Sequence, residues 1–277
     1  MYLRPGSLRE ACEALASRPA RILAGGTDVF PALVDRPPPE RVLDISGLAE
    51  LKGIRQTDES IRIGARTTWA EALRAELPPG FDALKSAARE VGSVQIQNAA
   101  TIAGNLCNAS PAADGVPPLL ALDAAVELAS LAGQRRLPLE EFLHGNRRTA
   151  IRPGEIMTAI VVPRASAGGR SAFRKLGSRR YLVISIVMVA VRVVTDGAGR
   201  IGDARVAVGA CSPVAQRLRE LETTLRGSSL GEAARLVRPE HLAPLSPIDD
   251  VRGSAAYRTE AARECVERAL AAACERA

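Results

Sequence analysis

Residues 181–191 (YLVISIVMVAV) form an uncharged run of eleven residues dominated by Val and Ile. The run is about half the ~20 residues a helix needs to cross a bilayer. Its β-branched content favours a buried strand, which is expected over 182–194. Asp196-Gly197 then signals a tight turn, and ARVAVGA predicts a returning strand over 204–210. With a further strand over 172–176, this part of the chain reads as antiparallel. Helices are expected after it, over 214–225, 230–237 and 254–276. The last places Tyr257, Ala261, Cys265, Val266, Ala269 and Cys274 near one face.

The first half is patterned differently. Ser7 and Glu10 form a capping box for a helix reaching about Ala16. A short strand over 21–24 is broken by Gly25-Gly26, and Pro31 suits a first helical turn. A loop over 36–40 (RPPPE) precedes a strand over 41–45. Beyond Leu51 come a strand over 60–65 and a helix capped by Thr68 and Glu71, which Pro78-Pro79-Gly80 ends. A helix is expected over 81–91 and a long loop over 95–114, ordered because Ile96, Ile102 and Leu106 recur regularly. A helix in VPPLLALDA, a hairpin in AVELASLAGQRRLPL and a strand over 156–162 follow. The small residues at 165–169 are the best linker, so units over 1–50, 51–164 and 170–277 are expected.

Composition excludes several classes. The 277 residues are 47% hydrophobic and 25% charged, an ordinary globular balance. The N-terminal MYLRPGSLRE lacks an apolar signal region. Five scattered cysteines without a C-x-x-C argue for reduced thiols in a cytoplasm and against a zinc ribbon or a self-contained iron–sulfur site. With only His144 and His241, H-E-x-x-H zinc chemistry is absent. The net charge of +6 comes almost wholly from arginine, since only Lys52, Lys85 and Lys175 are lysines. Aromatics make up 3% of the chain and are not interleaved with the arginines, so a nucleic-acid surface is not expected.

The formal G-x-G-x-x-G at 197–202 has a strand after it rather than a helix, so it reads as a hairpin turn. Two other segments carry more chemistry. Ala24-Gly25-Gly26-Thr27-Asp28 and Thr101-Ile102-Ala103-Gly104-Asn105 each combine glycine with a hydroxyl and a polar side chain. Glycine admits φ > 0 and lets backbone N–H groups approach an anion, so two such loops can clamp a diphosphate. Either loop alone is better read as a tight turn.

AGGTD followed by NAATIAGNLCNASPAAD resembles the FAD-binding medium subunit of the molybdenum hydroxylases, the xanthine dehydrogenase and aerobic carbon monoxide dehydrogenase family. The resemblance continues through PGEIMTAIVVP, SAFRKLGSRR and SAAYR, and it spans essentially the whole chain. It implies an α+β protein with a vanillyl-alcohol-oxidase-type (PCMH-type) FAD fold in two subdomains, plus a C-terminal domain of strands and helices. It also implies non-covalent FAD, held by Leu23, Ala24, Gly25, Gly26, Thr27, Asp28 and Val29 from the first loop. From the second come Ala100, Thr101, Ala103, Gly104 and Asn105. Asn108 and Asp114 match cofactor-contacting positions, with the carboxylate suited to ribose hydroxyls, and Ile160 lies where the family has an apolar site beside the flavin. Lys175 matches a basic residue that reaches the flavin ring or ribityl chain; the alternative is a solvated strand residue.

Molybdopterin and two [2Fe–2S] clusters would belong to a large and a small partner subunit, assembled as a dimer of heterotrimers, and the flavin would pass their electrons to NAD, a quinone or another acceptor. The chain departs from the family pattern at Ala103, where two adjacent glycines are usual, and in EVGSVQIQN, which lacks an aromatic. Tyr181 is a candidate cover for one flavin face, and His144 reads as surface or hinge. The competing readings are a stand-alone FAD-dependent reductase, such as a UDP-N-acetylmuramate reductase relative, and a flavin-free scaffold subunit.

Overall fold

The structure, a computed structural model, describes residues 1–34 and 37–275. The N-terminal region contains β1 (Tyr2–Leu3), α1 (Leu8–Ser17), β2 (Arg21–Leu23) and β3 (Val42–Asp44). The three strands form a parallel sheet in the order β1-β3-β2, which leaves β2 at an edge. Ser7 caps α1 by accepting from the Glu10 N–H, and Ala11, Cys12 and Leu15 turn inward onto Leu43 and Ile45.

The middle region begins with β4 (Ile54–Gln56) and β5 (Ser60–Gly64). The helices α2 (Trp69–Arg74), α3 (Asp82–Glu90), α4 (Val94–Ala99), α5 (Ile102–Asn108) and α6 (Val116–Ala121) follow. Then come β6 (Ala125–Ser130), β7 (Gly133–Pro138), α7 (Leu139–Phe142), β8 (Leu143–Gly145), β9 (Arg148–Thr149) and β10 (Ile156–Pro163). Its sheet runs β4-β5-β10-β6-β7, all antiparallel. Thr68 and Glu71 make the expected capping box, and Trp69 and Phe81 lie in the core beside Ile61 and Ile63.

The C-terminal region holds β11 (Arg170–Leu176), β12 (Val187–Thr195), β13 (Ile201–Gly209), β14 (Gln216–Arg217), α8 (Arg219–Leu225) and α9 (Ala255–Glu275). Its sheet is antiparallel in that order. Val187, Val189, Val191 and Val193 of β12 face α8 and α9, whereas Met188 and Ala190 meet Ala83, Ala87 and Ala121 of α3 and α6. Both faces are covered, which is why this strand reads as one continuous apolar run.

The structure corrects several expectations. The loop over 95–114 contains α4 and α5. Ser93 and Thr101 cap them by accepting from the Ile96 and Gly104 N–H groups, and the small residues masked their periodicity. The strand over 182–194 is Val187–Thr195, and Leu182, inside the expected range, takes a left-handed φ of 51° that no strand residue adopts. The helix over 214–225 is preceded by β14 and begins at Arg219, and the one over 230–237 is a short 3-10 turn, Ala233–Leu236. On α9 the buried face runs through Arg258, Ala262, Val266, Ala269, Leu270, Ala273 and Cys274, leaving Tyr257 49% exposed. The G-x-G-x-x-G segment is the β12–β13 turn. The beginning of the loop over 36–40 and the end of the last helix at 276 lie outside the described residues.

Candidate functional site: a cleft between two glycine loops

A cleft of about 560 Å³ separates the N-terminal sheet from the middle region. That volume is in the range of small-molecule and cofactor sites. One wall is the edge strand β2 and the loop that leaves it, residues 24–29; the other is α5 with its approach from Ala100.

The two loops touch through backbone. A Cβ on Gly25 would lie 2.0 Å from the Ala99 carbonyl oxygen, so only glycine permits this approach. Gly26 has φ +74°, and a side chain there would also strike the Phe30 ring at 2.6 Å. On the second loop, Ile102 N–H donates to Thr67 O at 3.1 Å and Trp69 N–H to Ala100 O at 3.2 Å, fastening the start of α5 to the start of α2. Thr101 Oγ1 accepts from Gly104 N–H at 3.0 Å, which leaves its own hydroxyl hydrogen free to donate. Asn105 Oδ1 accepts from Gly115 N–H at 3.3 Å.

Asn108 joins the walls. Its Nδ2 donates to Asp28 Oδ1 at 2.9 Å, while its Oδ1 accepts from Arg147. Cys107 opens onto the cleft, but surrounding protein pushes its thiol pKa up to about 12 despite the nearby Arg21 charge.

Of the residues expected at the site, Ala24, Gly25, Gly26, Thr27, Asp28, Val29, Ala100, Thr101, Ala103, Gly104, Asn105 and Asn108 line this cleft. Ala103 sits inside α5 with ordinary helical geometry, so its methyl replaces a second glycine without strain. Leu23 and Ile160 are core residues that do not reach the wall; Ile156 and Met157, earlier on β10, do.

Asp114 and Lys175 lie elsewhere, paired with each other. Lys175 Nζ donates to Asp114 Oδ2 at 2.6 Å, and Ser185 Oγ donates to Oδ1 at 2.6 Å. The Lys175 side chain is 7% exposed, which removes the solvated-strand alternative. Burial holds the Asp114 carboxyl above the usual range, against the opposing Lys175 charge and hydrogen bond and the Ser185 hydrogen bond.

A raised carboxyl pKa costs stability as pH rises past its unfolded value. Lys175→Met is expected to cost about 3 kcal/mol by stranding a buried carboxylate. The loss should be larger at about pH 8 than at about pH 5, where protonation relieves it. Thermal denaturation at the two pH values checks this.

Tyr181 is 60% exposed with Arg180 stacked 5.2 Å from its ring centre, and it does not line the cleft; nor does the exposed His144. Sequence reasoning missed Arg21, Trp69 and Arg147. Arg147 lies three residues from the His144 that drew attention, and its φ of 58° is invisible in sequence. Among the described residues, no three His, Cys, Asp or Glu side chains cluster as metal ligands, and no helix is long and apolar enough to cross a membrane.

Residues 1–165 match the family described as the FAD binding domain in molybdopterin dehydrogenase, and residues 171–273 match the CO dehydrogenase flavoprotein C-terminal domain. The 6-hydroxypseudooxynicotine dehydrogenase complex subunit alpha of Paenarthrobacter nicotinovorans is 36% identical over 100% of this chain and 95% of its own length. The putative xanthine dehydrogenase FAD-binding subunit of Escherichia coli K12 is 32% identical over 93% and 90%. A solved structure of reconstituted CO dehydrogenase from Oligotropha carboxidovorans superposes with a TM-score of 0.90 at 30% identity, covering 100% of this chain and 98% of that one. The α+β fold is thus that of a known lineage, and the chain belongs to the family of FAD-binding subunits of molybdopterin-dependent dehydrogenases.

Proposed function

We propose that this chain binds one FAD non-covalently and serves as the electron-transfer subunit of a larger molybdenum hydroxylase, in the cytoplasm. The observation that carries the reading is the backbone contact of Gly25 with Ala99 O beside the Thr101-capped α5. It joins two N–H-rich loops across a cleft of cofactor size. Bound flavin would accept electrons from a partner's iron–sulfur clusters and release them to NAD, a quinone or another acceptor.

The chain's own residues orient the cofactor and exclude water. Backbone N–H groups of residues 24–29 and the Thr101 hydroxyl would hold the diphosphate; Asp114, suited to ribose hydroxyls, and Lys175, suited to the flavin ring or ribityl chain, lie outside this cleft and would meet the cofactor only where it extends beyond it. The units over 1–50 and 51–164 would form the cofactor site, with 170–277 beside them.

Partners are supported by the relatives' names, which are those of medium chains and complex subunits. An exposed apolar surface adds support. Tyr181, Leu182 and Ile184 are each more than half exposed, as are Ile248 and Val251 on a second loop, whose Arg252 donates to Ser185 O at 3.3 Å. A large molybdopterin subunit and a small [2Fe–2S] subunit, in a dimer of heterotrimers, are the proposed assembly.

Titration with FAD, followed by flavin fluorescence, is expected to reach one flavin per chain, and acid or heat denaturation should release all of it. Flavin retained on the precipitate overturns the non-covalent claim, and failure to bind any flavin leaves a scaffold subunit. The isolated chain is expected to oxidise no aldehyde, purine or carbon monoxide with an artificial dye.

A further inference from the structure

We infer that Arg21 is the ionic anchor of the cofactor's diphosphate, and that it makes the cleft select flavins carrying that group. The inference rests on the FAD reading above and adds to it a residue outside both glycine loops. Among the described residues, three charged side chains line the cleft, namely Arg21, Asp28 and Arg147. Asp28 and Arg147 are both committed to Asn108, one to its amide nitrogen and the other to its oxygen. Arg21 is exposed, and among the described residues its side chain makes no hydrogen bond or ion pair. Its charge is felt inside the cleft, since it opposes the upward shift of the Cys107 thiol on the facing helix α5. One uncommitted cation therefore stands on the wall opposite Cys107.

A diphosphate diester carries a negative charge on each phosphate, and the cleft's committed charges, Asp28 and Arg147, cancel. Backbone N–H groups supply only partial charges. A guanidinium supplies a full one, with a planar fork that fits phosphate oxygens. Its position fits the task as well. Arg21 is the first residue of edge strand β2, and the strand runs directly into Gly25-Gly26, so the cation and the first loop share one rigid support.

The test uses the full chain, with FAD titrated by fluorescence quenching at low and moderate salt. Arg21→Ala is expected to weaken FAD binding about ten- to a hundredfold, the range for losing a charge-assisted hydrogen bond. It should also flatten the salt dependence, because an exposed cation's attraction is screened. Arg21→Lys should recover part of the affinity and all of the salt dependence. Arg9→Ala, a change at an arginine on the outer face of α1, should leave both unchanged. Circular dichroism and the melting temperature should match the unaltered chain in every variant. Arg21→Ala binding FAD within about twofold of the unaltered chain, with the same salt slope, overturns the inference while leaving the FAD reading intact. If the unaltered chain itself binds no FAD, the cofactor reading has failed, and Arg21 falls with it.

Discussion

Gly25→Ala is expected to lower FAD affinity by about 3 kcal/mol, the upper end of what forced overpacking costs. A methyl 2.0 Å from the Ala99 carbonyl oxygen must push the first loop off the end of α4, and the obstacle is backbone that cannot rotate away. Part of the loss should appear as reduced thermal stability, because the same contact closes the cleft. Gly26→Val meets both the Phe30 ring and a positive φ, and Gly104→Val meets the Thr101 hydroxyl at 2.7 Å. Both should weaken binding less than the Gly25 change, since a ring and a cap hydroxyl can shift. Gly199→Val is the contrasting case. It lies in the β12–β13 turn with open space around it and φ +74°, so it should cost turn stability while sparing FAD affinity. Fluorescence titration with circular dichroism reads all four. A Gly25→Ala protein that is folded and binds FAD as the unaltered chain does would place the cofactor elsewhere.

Arg258→Ala is expected to be the most destabilising change in the C-terminal region, by about 3–5 kcal/mol. The side chain is 1% exposed. Its guanidinium donates to Ile186 O at 3.0 Å, Ala210 O at 3.1 Å and Asp250 Oδ1 at 2.6 Å. It thus joins α9 to the start of β12, to the left-handed residue after β13 and to the loop at 250. Truncation leaves a cavity, two carbonyls without their donor and Asp250 without one partner. Chemical denaturation measures the loss, and FAD affinity at low denaturant should fall little because the cleft lies elsewhere.

The carboxylate at the outer end of this network gives a pH signature. Hydrogen bonds from Arg252, and then from Arg258, hold the Asp250 carboxyl well below the usual carboxylate range. A depressed carboxyl contributes stability that is present above its unfolded pKa and is lost as pH falls through its folded one. Asp250→Asn should therefore flatten the acid limb of the stability curve and leave its neutral plateau lower. An unchanged acid limb would show that Asp250 ionisation is not linked to folding.

Both predictions turn on residues whose importance the sequence showed unequally. Gly25 and Gly26 stood out because paired glycines after an apolar strand have few uses, and Thr68 with Glu71 announced a cap that forms as expected. Arg258 did not stand out. On α9 a buried arginine interrupts an apolar face, and a pattern that scores arginine as polar moves that face toward Tyr257. Likewise α4 and α5 hid among Asn, Ala and Gly. Each is held by one capping hydroxyl and by tertiary hydrogen bonds to residues 67–69, not by intrinsic propensity.

By itself the sequence determined the antiparallel C-terminal strands, the positions of the two glycine loops and the lineage. These depend on local backbone geometry and on an ordered set of motifs along the chain. Only the tertiary structure decided that Ala99 O lies against Gly25, that Asn108 spans Asp28 and Arg147, and that Lys175 is buried on Asp114 rather than solvated. Asp28 and Arg147 lie 80 and 39 residues along the chain from the Asn108 that bonds both. Composition and periodicity carry no information on which distant side chains meet, because that depends on how the sheets and their helices exclude water together.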